Sequence, residues 1–529
     1  MNRLRTLVGT LLVAGLAFLS GGWLVGHNER AAEFSAQLFR EVLQHVRDEY
    51  VDPYSEDRLY RMAADGLLRE LGDPHTALMS PEEYENLRLQ TTGEYGGLGI
   101  QIALRDGWVT VIAPLPNTPA ARAGIQPGDR IVEVNGQSTR GWTEDQAVRA
   151  LRGPKGTTVR IKVVRVGVDE PIEFTIVRDE IHIDSVSAAY LLDPAAGVGY
   201  VRLTTFAETS KDELVRAIER LRGQGMRKLV LDLRLNPGGL FDQAIAISDL
   251  FLREGQTIVQ MRARDPSESR TFRARGDAVL PDAPLVVLVD EGSASASEIV
   301  AGALQDHDRA LVVGRRTFGK GSVQSLVPLS GGYFLKLTTG KWYTPVGRSI
   351  QKDRVATSDG DEASAMPTRD TLPRKPYRTD SGRIVYGGGG IVPDVEVRAD
   401  TMTAAERPFF EAVSKAGNRF TDVIFRYAVE VARREALRPT FEIAPSWRQE
   451  LYARLRQAGI AVTWEQFEAA RRYVDQRLGY EIALHEFGQE AAQRWANRND
   501  PVVRTAADLL RRARSTAQLF ELVQTRAQR

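Results

Sequence analysis

Residues 285–324, LVVLVDEGSASASEIVAGALQDHDRALVVGRRTFGKGSVQ, decide how the rest of the chain is read. The apolar run LVVLV has the length of a buried strand. A Gly/Ser/Ala turn follows, then the apolar spacing of a helix, a second apolar run and a second glycine turn. Apolar strands alternating with helices imply a mostly parallel sheet, and such sheets carry their chemistry in turns at the carboxyl ends of strands. The first turn holds Ser293, Ser295 and Ser297, and the second holds Lys320 between Gly319 and Gly321.

A serine hydroxyl is a poor nucleophile until a base takes its proton. No histidine lies in either turn. The six histidines are scattered, without HExxH spacing; His75 reads as a structural turn residue, and His307, in DHD, reads as part of a solvated helix end. Lysine can act as the base if its site lowers its pKa from ~10.4 toward neutrality, and ~3 units correspond to ~4 kcal/mol. Lys320 is the best-placed lysine. Spacing alone does not choose among the three serines. Ser295 followed by Glu298 matches a capping box, whose loss costs ~1 kcal/mol. A helix start would also offer free N–H groups and a positive dipole end to a developing oxyanion.

Working outward, GVGYVRLTTF reads as a strand, SKDELVRAIERLRGQ as a helix, and KLVLDLRLNPGG as an apolar strand ending in a turn, followed by the helix AIAISDLFL. Residues 352–382 lack periodicity and read as a surface excursion, after which YGGGGIVPDVEV supplies a last strand. Beyond Asp400 the pattern is helical. Trp464, Phe467, Ala470, Val474, Leu478 and Ile482 share one side of a helix, and PVVRTAADLLRRARSTAQLFELV repeats the pattern, as expected of a packing or oligomerisation module.

Upstream, residues 93–179 change to short strands with a small helix, a Pro-Gly turn and a second helix, TEDQAVRALRG. Headed by GGLGI and with GIQPGDRIVEVNG in its middle, this order resembles a PDZ domain. The resemblance implies that the loop before a strand starting at Leu98 presents backbone N–H groups, through Gly97, Leu98, Gly99 and Ile100, to a peptide carboxylate, and that the peptide adds a strand to the sheet edge. Residues 29–92 read as helical: Phe34, Leu38, Val42 and Val46 repeat on one face, and Pro81 marks a helix start.

The totals bound the rest. A chain of 529 residues, 43% hydrophobic, needs several domains. A net charge of +1 gives no hint of nucleic acid, and the absence of cysteine removes thiol catalysis, zinc–cysteine sites and disulfides. Arg3 and Arg5 precede a charge-free run from Thr6 to Gly26, long enough to span a bilayer as an uncleaved anchor, with a cleaved signal peptide as the rival. The basic flank would stay in the cytoplasm and place the remainder on the outer, periplasmic or extracytoplasmic, side.

DLRLNPGG, GSASASE, FGKGSVQ, YTPVGRSIQ and GGIVPDV, in this order behind the PDZ-like region, resemble the carboxyl-terminal processing peptidases, or tail-specific proteases, over about residues 35–398. The resemblance implies Ser295 as nucleophile, Lys320 as general base, and Gln324, one helical turn later, as its orienting residue. It implies an oxyanion site of backbone N–H groups from Gly238 or Gly239 and from Ala296. It also implies acyl transfer without metal or cofactor, on unfolded or flexible protein C-termini whose backbone pairs with a strand such as Phe334–Thr338. The expected organisation is a multidomain α/β chain: a membrane or signal segment (1–28), a helical region (29–92), a PDZ domain (93–179), a peptidase core (180–398) and a C-terminal all-helical domain (399–529). The helical regions suggest a homo-oligomer, and an activating adaptor is compatible with the family. The rival readings are a non-catalytic PDZ scaffold that binds C-termini, and a hydrolase or isomerase of small acyl compounds.

Overall fold

The computed structural model describes residues 34–165, 167–276, 278–352, 375–398 and 402–527, which separate into two compact units. The smaller comprises the described residues up to Ser80 together with Ser325–Thr338. The larger runs from Pro81 to Gln324 and takes in the described residues from Thr339 onward. The apolar run Thr6–Gly26 lies outside the described residues, among which no helix is long and apolar enough to cross a membrane.

In the smaller unit, the rhythm of Phe34, Leu38 and Val42 forms the helix 34–49, with that face open to solvent. A second helix, Glu56–Glu70, is capped by Ser55, whose hydroxyl accepts the Arg58 N–H. The strand Ala77–Met79 pairs antiparallel with Phe334–Lys336. One edge of the strand assigned from sequence to substrate pairing is therefore filled by the chain itself.

The larger unit begins with the helix Pro81–Thr92 and the ribbon Glu94–Gly97, which pairs with Asp179–His182 and brackets the PDZ-like sheet. That sheet runs Ile100–Arg105, Trp108–Pro114, Arg130–Val134, Thr158–Val164, Ile172–Val177 in spatial order. Strand alternation sends Val159, Ile161 and Val163 inward from Thr158–Val164, where they meet Val111 and Ile131. The first strand starts at Ile100, not Leu98, because Leu98 turns into the core. Gly99, at φ +72°, lies so close to Thr118 that a Cβ would come within 2.4 Å of it. Ile100–Arg105 is an edge strand, so one side of it has no strand partner in the sheet.

The core sheet has six strands in the order Val186–Asp193, Val198–Leu203, Lys228–Asp232, Leu285–Val289, Leu311–Gly314, Val395–Glu396. The first pair is antiparallel and the rest are parallel. The continuous apolar runs are explained by cover on both faces. On one face, the helices Ser210–Gly223, Phe241–Asp249 and Ala296–Asp306 contribute Leu214, Ile218, Ile247, Val300 and Leu304 to the main core. On the other, Val503, Ala506, Leu509 and Leu510 of the helix Pro501–Arg512 pack on Tyr200, Val230, Val286 and Leu288. The last amphipathic run thus belongs to the core sheet. The run from Trp464 breaks at Ala470 into Trp464–Ala469 and Arg471–Phe487; Phe467, Val474, Leu478 and Ile482 are buried, whereas Trp464 is exposed.

The helix end at DHD is not solvated. Asp306 is fully buried against the Arg348 guanidinium, and His307 bonds Asp380 and the Thr257 carbonyl, both at 2.7 Å. These groups, with Asp308 on Arg383, fasten the described part of the excursion after Lys375 to the core.

Candidate active site

Parallel order puts the turns after Lys228–Asp232 and Leu285–Val289 at the same end of the sheet. Two of the three serines in the second turn are committed to holding it. Ser293 Oγ donates to the Leu233 carbonyl at 2.8 Å and accepts the Asp290 N–H at 2.9 Å, and Ser297 Oγ donates to the Asn236 carbonyl at 2.9 Å. Both side chains are fully buried. Ser295 is half-buried and sits at φ +52°, ψ −112°, a conformation that costs an L-residue ~1–3 kcal/mol. The outline of a capping box is present, but the Ser295 hydroxyl makes no cap hydrogen bond; the direct bond runs from the Ser295 N–H to the Glu298 carboxylate at 2.9 Å.

In the sequence, Glu298 shows only as the second half of a cap. It is fully buried, and its two oxygens accept four hydrogen bonds. Oε1 takes the Thr317 hydroxyl (2.5 Å) and the Gly319 N–H (2.8 Å), and Oε2 takes the Ser295 and Lys320 N–H groups, both at 2.9 Å. One carboxylate therefore joins the serine turn to the lysine turn. Burial pushes it up to about 7, against the opposing pull of those four hydrogen bonds.

The lysine turn is closely held. The Phe318 N–H donates to the Ser293 carbonyl at 3.0 Å, Trp342 Nε1 donates to the Lys320 carbonyl at 3.1 Å, and the Gly321 N–H donates to Gln351 Oε1 at 2.8 Å. At Gly319, φ +91°, a Cβ would lie 2.8 Å from that of Lys352. Gln324 lies on the strand Ser322–Pro328, not on a helix, and its Nε2 donates to Ser322 Oγ at 2.9 Å. Lys320 itself lies in the turn two residues before that strand begins.

The NPGG turn lies directly against Ser295. A Cβ on Gly238, φ +99°, would lie 2.8 Å from the Ala294 carbonyl oxygen and 2.9 Å from both the Ala296 nitrogen and the Ser295 Cβ. The Gly238 N–H is already donated to Asn236 Oδ1 at 2.9 Å. Those of Gly239 and Ala296 have no hydrogen-bond partner among the described residues. Asn236, which sequence reasoning also passed over, is fully buried and ties the two turns together: its carbonyl accepts Ser297 Oγ and the Ala294 N–H, and its Nδ2 donates to the Leu203 carbonyl. Leu235, at φ +56°, is fixed by its N–H to Asp290 Oδ1 at 2.8 Å.

In the PDZ-like region, Gly97 closes the ribbon, the Leu98 carbonyl accepts the Ala120 N–H, and the Gly99 carbonyl accepts the Leu115 N–H, so this loop's carbonyls face the domain. The N–H groups of Leu98 and Gly99 make no hydrogen bond among the described residues, and Ile100 begins the edge strand. Elsewhere, His182, Asp184 and Glu213 bring ligand-type atoms within 4.8 Å of one another; there His182 Nε2 bonds Glu213 at 2.9 Å.

A strained serine between strand and helix, beside a glycine turn with unengaged N–H groups, defines a serine-peptidase type of site on an α/β core. Peptidase family S41 matches residues 197–358, and a PDZ domain matches residues 110–165. The carboxy-terminal-processing protease of Bartonella bacilliformis is 40% identical over 347 residues, 65% of this chain and 78% of that one. The carboxyl-terminal-processing protease of a Synechocystis species is 41% identical over 312 residues, 58% of this chain and 72% of its own. A solved photosystem II D1 C-terminal processing protease is 30% identical, covering 68% of this chain and 87% of that one, with a TM-score of 0.36. The chain belongs to peptidase family S41, among the carboxy-terminal-processing proteases, and is a serine-type peptidase.

Proposed function

We propose that this chain is an endopeptidase that cleaves unfolded or flexible proteins near their C-terminal tails, with Ser295 as nucleophile and Lys320 as general base. The observation that carries the reading is the division of labour among the serines. Ser293 and Ser297 are buried and spent on backbone carbonyls, whereas Ser295 is half-buried and joined through Glu298 to the backbone of Lys320. Lys320 accepts the Ser295 proton as the oxygen attacks a peptide carbonyl. The tetrahedral oxyanion is met by the N–H groups of Gly239 and Ala296, Gly238 being engaged by Asn236. The proton passes to the leaving amine, and water then releases the acyl group from Ser295. Gln324 orients Lys320 from the adjoining strand.

The edge strand Ile100–Arg105 and the Leu98–Gly99 loop suit capture of a peptide C-terminus by strand addition. We further propose that the segment before residue 28 tethers the enzyme to the cytoplasmic membrane with its catalytic part outside, on the charge pattern around Thr6–Gly26. Cleavage of an internally quenched unfolded polypeptide by the full-length chain tests the dyad. Ser295→Ala and Lys320→Ala are each expected to abolish turnover, while Ser293→Ala and Ser297→Ala retain it. Turnover lost only in one of the latter pair moves the nucleophile there.

A further inference from the structure

The oxyanion turn is anchored from outside the segment matched by the peptidase family. Arg234, two residues before Asn236, donates Nε and Nη2 to Asp232, with Nη2 at 2.6 Å from Oδ2. Asp232 is fully buried and also receives the Tyr200 hydroxyl at 2.6 Å, with Arg202 Nη1 at 3.7 Å. Two arginines thus share one buried carboxylate, which would leave a net positive charge in a largely desolvated place. The second carboxylate comes from Asp500. Its Oδ2 accepts Arg234 Nη1 at 2.6 Å, and its Oδ1 separately caps the helix Pro501–Arg512 by accepting the N–H groups of Val502 (2.8 Å) and Val503 (3.2 Å). The two oxygens have different tasks, one local and one 266 residues away in sequence.

We infer that Asp500 is a positioning residue for catalysis: through Arg234 it fixes the Leu235–Gly239 turn, so the C-terminal helical region completes the oxyanion site. Without it, Arg234 keeps only the carboxylate it shares with Arg202, and the turn that Leu235 enters in a strained conformation keeps its inner ties, Leu235 to Asp290 and Asn236 to Ser297, but loses the outer one. The Arg202 Nη2 contact to the Arg234 carbonyl, at 3.5 Å, is too long to replace that anchor. The inference rests on the assignment of Ser295 and the NPGG turn to the reaction.

The division between the two oxygens makes the idea testable. Asparagine caps helices as well as aspartate does but has no charge for Arg234. In the full-length chain, Asp500→Asn is expected to lower kcat about tenfold with KM nearly unchanged and the melting temperature close to wild type. Asp500→Glu is expected to recover part of that loss. Leu510→Ala, on the same helix and in contact with the sheet rather than the turn, measures the effect of loosening the helix alone. Wild-type kcat in Asp500→Asn, or the same kcat loss in Leu510→Ala, overturns the inference. Turnover by Ser295→Ala would instead sink the assignment of the nucleophile, so the two failures are distinguishable.

Discussion

At the scale of single residues, Glu298 is where two demands conflict. Its four donors suit an ionised carboxylate, while its burial favours the acid, and the result lies at about 7. Because this is above the usual 4.5, the stabilising contribution is full below about pH 4.5 and is lost as the pH rises through 7. Activity should run the other way, since a protonated oxygen cannot accept both N–H groups of the serine and lysine turns. Protonation of Glu298 is therefore expected to add to the acid limb of kcat near pH 7, beside the limb that Lys320 imposes as general base, and Glu298→Gln should cost about 10²-fold or more in kcat while removing the Glu298 share of that limb, because a carboxamide presents N–H where two donors need an acceptor. A pH–rate profile on both proteins reads this directly. Glu298 also shows what the sequence conceals. S-x-x-E is the pattern of a cap, and only the contacts to Thr317, Gly319 and Lys320 reveal the carboxylate as the joint between turns.

At the scale of elements, the apolar runs LVVLV and KLVLD and the glycine turns after them were legible because strand burial and turn chemistry are local properties. The choice among serines was not. Ser293 and Ser297 are hydrogen-bonded to carbonyls 60 and 61 residues away, information that no local pattern carries. Likewise the four-residue step from Lys320 to Gln324 looks helical but runs from a turn into a strand. The packing of NPGG on Ser295 makes a further prediction. Gly238→Ala would force a methyl group against the Ala294 oxygen and the Ala296 nitrogen in a left-handed backbone, so kcat should fall about 10²-fold while circular dichroism still reports a folded chain. Unchanged kcat would show that the two turns need not touch.

At the scale of the larger unit, amphipathic patterns said which helical faces are buried, but not against what. Two of the partners prove to be other domains: the helix Pro501–Arg512 covers the core sheet, and the helix Asn418–Arg434 meets the PDZ-like sheet. There Arg105 pairs with Asp422 and lies over Phe425, its guanidinium carbon 4.6 Å from the ring centroid, while His485 packs edge-on to the same ring. His485 is buried with neither ring nitrogen hydrogen-bonded, and burial, then Arg105 and Arg433, push its pKa down to about 4. The nearby Glu481 carboxyl, 3.7 Å from His485 Nε2, is shifted upward by burial. A depressed histidine contributes stability above its ordinary 6.5 that is lost as the pH falls through 4. Thermal melts should show this acid-side loss, and His485→Phe should reduce it between about pH 6.5 and 4.

The Ser295 hydroxyl, alone among the three in the turn, makes no hydrogen bond to another part of the fold. If it is the nucleophile proposed above, its replacement by alanine removes the reagent while the strained backbone, the Gly239 and Ala296 N–H groups and the Glu298 joint all stay. Such a variant is a faithful bait. Crosslinked in the cell and analysed by mass spectrometry, it would hold the tails that the wild-type enzyme releases, and so identify the clients by capture rather than by their disappearance.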